Sequence, residues 1–276
     1  MEETIEEKQH TAWIISVGNE LLIGRIVNTN ASWLAEQLTL LGYKVERIIT
    51  VPDNEDDIAE EVGRGYTRAG IIITTGGLGP TYDDMTLSGV AKAFGLPLEL
   101  NPDAVSMVKN FYSSRGLELT EDRIKMAYLP RGAKPLRNTV GAAPGSLLEI
   151  NNVLIISLPG VPSEMKTIFL EEVKPILEKR VPKRAIIECG IVARKVPESG
   201  LAPYLKKLAK KYPTVYLKSH PKGHELSSPI LDIRVLASSR TLQEAKELAT
   251  KILSELENYV SELGGEIRER HCRSQD

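Results

Sequence analysis

The chain has 276 residues, 26% of them charged and 42% hydrophobic, with a formal net charge of -2; it is long enough for two modest domains with real cores, and it lacks the concentrated basic face of a nucleic-acid binder. No apolar run approaches the ~20 residues of a membrane span, and the opening MEETIEEKQH is acidic and polar where an export signal is basic and then apolar. Two cysteines, Cys189 and Cys272, lie far apart without ligand-like spacing, which argues for a reducing, cytoplasmic compartment and against a disulfide framework.

Charge divides unevenly along the chain. Up to Arg180 there are 18 basic and 25 acidic residues, and after it 17 and 12, so the two halves carry -7 and +5. We place a domain boundary there, giving units 1–180 and 181–276.

Ala12 to Val17 (AWIISV) reads as an apolar strand that stops at Gly18, and a helix is expected from about Asn28 to Asn30, with Leu34, Leu38 and Leu41 at helical spacing. The intervening GNELLIGRIVNTN is long for a strand-to-helix turn and carries Asn19, Glu20, Asn28 and Asn30, which makes it a candidate ligand loop. Asn28 and Asn30 serve equally well as helix caps; Glu20, before two leucines, has no such structural role. Tyr43 to Val51 predicts a second strand, and Asp53 to Ala69 a charged amphipathic helix whose acids at 55–57 and 60–61 form a solvated face.

The stretch IIITTGGLGPTYDDMT, Ile71 to Thr86, concentrates the chemistry. Ile71 to Thr74 read as a buried strand that leads through Thr75 into Gly76, Gly77, Gly79 and Pro80, where backbone N–H groups can close on an anion. Asp83 and Asp84 follow at the expected start of a helix carrying Leu87, Val90, Ala91 and Phe94. A phosphate beside two carboxylates is repelled unless a divalent cation lies between them, so the pattern points to metal-assisted nucleotide chemistry. The plainer alternative is a tight connection with Asp84 as helix cap, but a cap needs one short polar residue and leaves Asp83 unexplained.

Pro97 to Leu100 is a short extended piece, followed by a helix from Pro102. NTVGAAPG, Asn138 to Gly145, is a further loop containing Gly141, Pro144 and Gly145, and two strands flank Asn151 and Asn152. The second of these ends in LPGVPSEM, where Pro159 and Gly160 make a turn and Ser163 and Glu164 begin a helix. Alternating strands and helices predict a central parallel sheet with its ligand cleft beyond the carboxyl ends of the strands. The order from Lys183 changes to strand (185–196), helix (199–211), strand (214–219), strand (229–237), helix (242–263) and a short strand (266–268), the split βαβ arrangement. His220 and His224 flank a Pro-Lys-Gly turn that reads as a solvated loop, and ERHCRSQD as a frayed tail.

Taken together, GNELLIGRIVNTN, TTGGLGPTYDDMT, NTVGAAPG and LPGVPSEM, in that order, resemble the N-terminal region of the CinA (competence/damage-inducible) proteins, a branch of the molybdopterin-binding (MoaB/MogA-like) domain superfamily. The resemblance covers Trp13 to Arg180 most fully. It implies an α/β fold, a three-layer parallel-sheet molybdopterin-binding-like domain followed by a smaller α+β ferredoxin-like domain. It also implies metal-dependent pyrophosphatase activity on ADP-ribose or a related dinucleotide, a divalent ion (cobalt, magnesium or manganese) with potassium as a further cation, and a homo-oligomer without nucleic-acid or membrane partners. Nicotinamide mononucleotide deamidase activity, which a further domain adds to many members, is not expected from these residues. Two departures stand out: Asn19 where related molybdopterin proteins often carry Asp, and Pro52 where a glycine usually precedes Asp53. The first removes a possible metal ligand and weighs against adenylylation of molybdopterin more than against nucleotide hydrolysis.

The expected division of labour gives Asp83 and Asp84 the metal, Glu20 the role of general base or second metal contact, and the glycine amides the charge developing on phosphate oxygens. Asn28, Asn30 and Ser163 would orient the substrate. Gly18, Asn19, Thr75, Gly76, Gly77, Gly79, Pro80, Gly141, Pro144, Gly145, Pro159, Gly160 and Glu164 complete the candidate substrate site. A molybdopterin-binding or adenylylating protein of molybdenum cofactor biosynthesis is the alternative, and a nucleotide-binding module without turnover a third reading.

Overall fold

The computed structural model describes residues 8–180, 185–213, 215–222 and 229–274. The chain separates into two compact units, the division falling between Val181 and Pro182.

In the first unit, β1 (Thr11–Val17) leads through a one-turn helix α1 (Asn19–Leu22) to α2 (Thr29–Leu40). Then come β2 (Lys44–Val51), α3 (Glu55–Arg68), β3 (Ile71–Thr75) and α4 (Thr86–Ala93). The ribbon strands β4 (Leu98–Leu100) and β5 (Tyr128–Pro130) enclose α5 (Pro102–Ser113) and α6 (Glu121–Ile124). After β6 (Lys134–Leu136), β7 (Gly145–Ile150) and β8 (Val153–Leu158), α7 (Pro162–Ile168) continues through Phe169–Val173 into α8 (Lys174–Glu178).

The six-stranded sheet has the order β2-β1-β3-β8-β7-β6. β2, β1, β3 and β8 run parallel, and the β7–β8 hairpin and β6 add an antiparallel margin. Strand alternation sorts the core onto two faces. Ile14, Ile73 and Ile156 pack with Leu34 and Leu38 of α2 and Phe169, while Ile15, Ile72 and Ile155 pack with Ile58 and Val62 of α3, Val90 of α4 and Val108 of α5. Both faces are covered, as continuous Ile runs in β1 and β3 require, so the first unit is a three-layer α/β domain. Truncating Ile73 to Ala would cost roughly 2–5 kcal/mol.

The second unit contains β9 (Ala185–Arg194), α9 (Glu198–Lys211), β10 (Tyr216–Pro221), β11 (Ile230–Ser239), α10 (Leu242–Glu262) and β12 (Glu266–Ser274). Its antiparallel order β10-β11-β9-β12 is the ferredoxin-like one, with α10 started by a Thr241–Glu244 capping box. His220 lies on β10; Thr214 and His224 fall outside the described residues.

Two expectations are corrected here. The tail is not frayed through Cys272, because β12 pairs with β9 along residues 266–274. That pairing sets Cys272 directly opposite Cys189, and the two form a disulfide across 83 residues of sequence. Linear spacing misled because strand register, not distance along the chain, brings cross-strand residues together. The bond removes the argument for a reducing compartment. No helix of the described residues is long and apolar enough to cross a membrane.

Candidate functional site

The neighbouring strands β2, β1, β3 and β8 all end at one edge of the sheet, and each releases its chain into a loop there. Gly18 follows β1, Asp53 lies two residues past β2, Gly76 follows β3 and Pro159 follows β8. Adjacent strands therefore bring together segments that the sequence spreads over more than a hundred residues, at the edge where open α/β sheets bind ligands.

Side chains fasten these loops to one another. The Asn30 amide nitrogen donates to Thr75 Oγ1 at 3.1 Å and to the Gly160 carbonyl at 2.8 Å. Thr75 Oγ1 donates onward to the Pro159 carbonyl at 2.9 Å, and Thr86 Oγ1 to the Gly76 carbonyl at 2.7 Å. Asn30 thus ties the start of α2 to the end of β3 and to the loop after β8. Asn28 caps α2, its Oδ1 accepting from the Ala31 N–H, and its remaining bonds go to Ser16 and Thr50. Its amide is spent on structure, as a cap's is.

The glycine loop is shaped for close approach. Gly76 has φ +105°, and a Cβ there would lie 2.2 Å from the Val17 carbonyl oxygen. Its own N–H donates to the Leu158 carbonyl at 3.0 Å, so it continues the sheet and is not free for an anion. The N–H groups of Gly77, Leu78 and Gly79 make no hydrogen bond among the described residues, which leaves three successive donors beside the cleft.

Asp83 and Asp84 precede α4, whose first residue is Thr86, and neither caps it; Met85 holds the cap position without a side-chain bond. The two carboxylates instead converge on Thr81. Its hydroxyl lies 2.5 Å from Asp83 Oδ1 and 2.6 Å from Asp84 Oδ2, and its N–H donates to Asp84 Oδ2 at 2.8 Å. Lys125 donates from Nζ to the Thr81 carbonyl. The Asp83 carboxyl is held below its ordinary value first by the Thr81 hydroxyl, then by a backbone N–H, with Lys125 adding a favourable charge.

A cleft of about 440 Å³ opens over these loops. Gly18, Glu20, Gly76, Gly77, Gly79, Pro80, Asp83, Asp84, Pro159, Gly160 and Glu164 line it, all of them expected from sequence. Asn28, Asn30 and Thr75 line a contiguous chamber of about 150 Å³, and a smaller one of about 130 Å³ also shares lining residues with the cleft. Asn19, Gly141, Pro144, Gly145 and Ser163 line none of these spaces. Asn19 donates its N–H to Asp53 Oδ2 at 2.8 Å, Gly145 begins β7, Pro144 is buried before it, and Ser163 is exposed on the first turn of α7. Gly141 serves from behind, where any Cβ would strike the Glu164 carboxylate at 2.1 Å.

Three participants escaped the sequence reading. Asp53 lines the cleft at the end of β2, and the strand-end rule applied to Val51 would have selected it. Asn138 donates to Glu164 Oε2 at 2.7 Å while its Oδ1 accepts the Val140 and Gly141 N–H groups, so it sets the angle of Glu164. Thr81 clamps the acid pair; no spacing rule marks a threonine for that role.

Electrostatically the central cleft is one-sided. Glu20, Asp53, Asp83, Asp84 and Glu164 line it, with no Lys, Arg or His among its lining residues. Among the described residues no group of three or more His, Cys, Asp or Glu converges as a ready-made metal cage. An adjacent carboxylate pair with open sides nevertheless suits a magnesium-type ion, which takes one or two carboxylates and completes its shell with water and ligand phosphate.

A family model described as "Probable molybdopterin binding domain" matches residues 13–179. A protein of Aeropyrum pernix is 58% identical over 263 residues, covering 95% of this chain and 98% of that protein. One of Pyrobaculum arsenaticum is 49% identical, covering 93% and 97%. Among solved structures, that of the protein CinA, of unknown function, from Thermoplasma acidophilum is 40% identical, with a TM-score of 0.57 over 60% of this chain and 98% of that one.

Proposed function

The chain belongs to the molybdopterin-binding domain family and is CinA-like in its first unit, and from that premise we propose that its cleft hydrolyses the phosphoanhydride of ADP-ribose or a related dinucleotide with a divalent ion. The observation that carries this reading is the conjunction of three unpaired backbone N–H groups at Gly77–Gly79 with five carboxylates and no cation in the cleft lining. Amide donors invite a phosphate; the carboxylates would repel it unless a cation stood between.

Asp83 and Asp84 would hold that cation, magnesium, manganese or cobalt. When bound, a divalent ion there neutralises pyrophosphate charge and lowers the pKa of water toward neutrality. The protein's own groups do the rest. Gly77, Leu78 and Gly79 bind non-bridging oxygens and stabilise charge in the transition state. Thr81 and Lys125 hold the acid pair in place, which spares the cost of orienting it at each turnover. Glu20, exposed at the cleft wall, takes the proton of the attacking water, and Glu164, fixed by Asn138, is the alternative acceptor.

The test is turnover of ADP-ribose by the purified protein with magnesium, with manganese or with chelator, in potassium and in sodium, alongside Asp83→Asn and Asp84→Asn. The reading expects AMP and ribose 5-phosphate only with metal, and at least a hundredfold loss in each variant. Metal-independent turnover, or full activity in both variants, would overturn it.

The family description supports a second reading, a molybdopterin-binding or adenylylating protein of molybdenum cofactor biosynthesis. The same loops would hold the pterin phosphate. Release of pyrophosphate from ATP in the presence of molybdopterin separates the two. As to assembly, Leu22, Ile23, Ile26 and Val27 form an exposed apolar run, which supports a homo-oligomer; light scattering after gel filtration reads its order.

A further inference from the structure

The smaller of the two chambers has a volume of about 130 Å³ and shares Gly77, Leu78, Gly79, Asp84 and Met126 with the cleft. It lies between α4 and the β4–β5 ribbon. Its wall is largely apolar and aromatic, Leu78 and Met126 being joined by Leu87, Leu98 and Tyr128. Leu98 and Tyr128 are 37% and 40% exposed, so large apolar side chains are left open to water beside a phosphate loop, where the fold itself gains nothing by exposing them. At the mouth stands Lys125, the one Lys or Arg among the residues lining the cleft and its two chambers. Its ammonium spends one donor on the Thr81 carbonyl and keeps two.

Such a wall, opening directly from amide donors and a lysine, matches a ligand in which a phosphate is joined to a flat, weakly polar ring. A sugar would leave its hydroxyls unpaired against leucines and methionine. The opposite chamber, by contrast, is lined by the polar side chains of Ser16, Thr29, Asn30 and Thr75.

We propose that the chamber walled by Leu87, Leu98, Met126 and Tyr128 is a subsite for the heteroaromatic base of a nucleotide, with Tyr128 stacking on the ring and Lys125 contacting the adjoining phosphate. The proposal deepens the hydrolase reading and rests on it for the ligand class. It fixes the direction of the substrate: base toward the β4–β5 ribbon, the non-base sugar phosphate toward α2.

The experiment is calorimetric binding of AMP and, separately, of ribose 5-phosphate, both with magnesium, to the full chain and to its Tyr128→Ala and Tyr128→Phe forms. Loss of the stacking ring weakens AMP about tenfold, leaves ribose 5-phosphate within about twofold, and is reversed by Phe. Ribose 5-phosphate reports an intact cleft, so an unfolded variant is recognised as such. Equal weakening of both ligands, no weakening of either, or no binding of AMP by the unaltered chain would overturn the assignment. A protein that hydrolyses nothing but still separates the two half-ligands in this way loses the hydrolase reading and keeps the base subsite.

Discussion

The hydroxyl of Thr81 lies 2.5 Å from Oδ1 of Asp83, and this contact is the first cause of that carboxyl's depressed pKa. A depressed value means that Asp83 stays ionised below the ordinary carboxylate range and loses its charge only as pH falls through the lowered value. Removing the hydroxyl should bring the titration back up. Thr81→Val is expected to move the acid limb of the pH–kcat/KM profile to higher pH and to lower kcat/KM about tenfold near neutrality, whereas Thr81→Ser keeps both. An acid limb at the same pH in the Val and Ser forms would contradict the clamp.

Gly76 cannot carry a side chain. With φ +105° and the Val17 carbonyl 2.2 Å from where a Cβ would sit, Gly76→Ala must displace either the loop or the end of β1. The expected cost is at least ~1–3 kcal/mol, together with loss of phosphate binding, read by thermal unfolding and by AMP calorimetry on the same sample. An Ala variant with unchanged melting and affinity would show that the loop is not held as described.

Tyr43 reports the core between β2 and α8. Its hydroxyl donates to the Leu177 carbonyl at 3.0 Å, and burial pushes its pKa up to about 12. A folded-state value raised above the ordinary one contributes stability that is complete below about pH 10 and is lost as pH rises toward 12. Tyr43→Phe should cost about 1 kcal/mol at pH 7 and flatten the decline of stability above pH 10; equilibrium unfolding across pH 7–11 measures both.

The Cys189–Cys272 bond closes a long loop through the second unit. Chain-entropy reasoning gives such a closure roughly 4 kcal/mol. Reduction with dithiothreitol, or Cys272→Ser, should therefore lower the melting of the second unit while leaving unchanged the ADP-ribose turnover proposed for the first.

What the sequence made legible and what it concealed follow from physical causes. Ile71–Thr74 and Ala12–Val17 were readable as buried strands because a sheet covered on both faces needs uninterrupted apolar or β-branched residues, and the glycines after them because a chain cannot turn so tightly with side chains. The ferredoxin-like order was readable from alternating periodicities. Register was not: Cys272 meets Cys189 through strand pairing that no local pattern encodes. The contrast between Asn28 and Asn30 was likewise hidden, since a cap and a loop cross-link use the same amide and only the neighbouring strands decide which it becomes. Asp53, two residues past the end of β2, was legible by the same strand-end rule that marks Gly18 and Gly76.

The central claim is that this cleft cleaves a phosphoanhydride with water. It is tested most directly by incubating the protein with magnesium and ADP-ribose in ¹⁸O-labelled water and analysing the products by mass. AMP and ribose 5-phosphate are expected, one of them carrying a single labelled phosphate oxygen, with neither product in the Asp83→Asn and Asp84→Asn forms. Intact ADP-ribose, in a preparation that releases pyrophosphate from ATP when molybdopterin is supplied, would contradict it and favour the adenylylating reading.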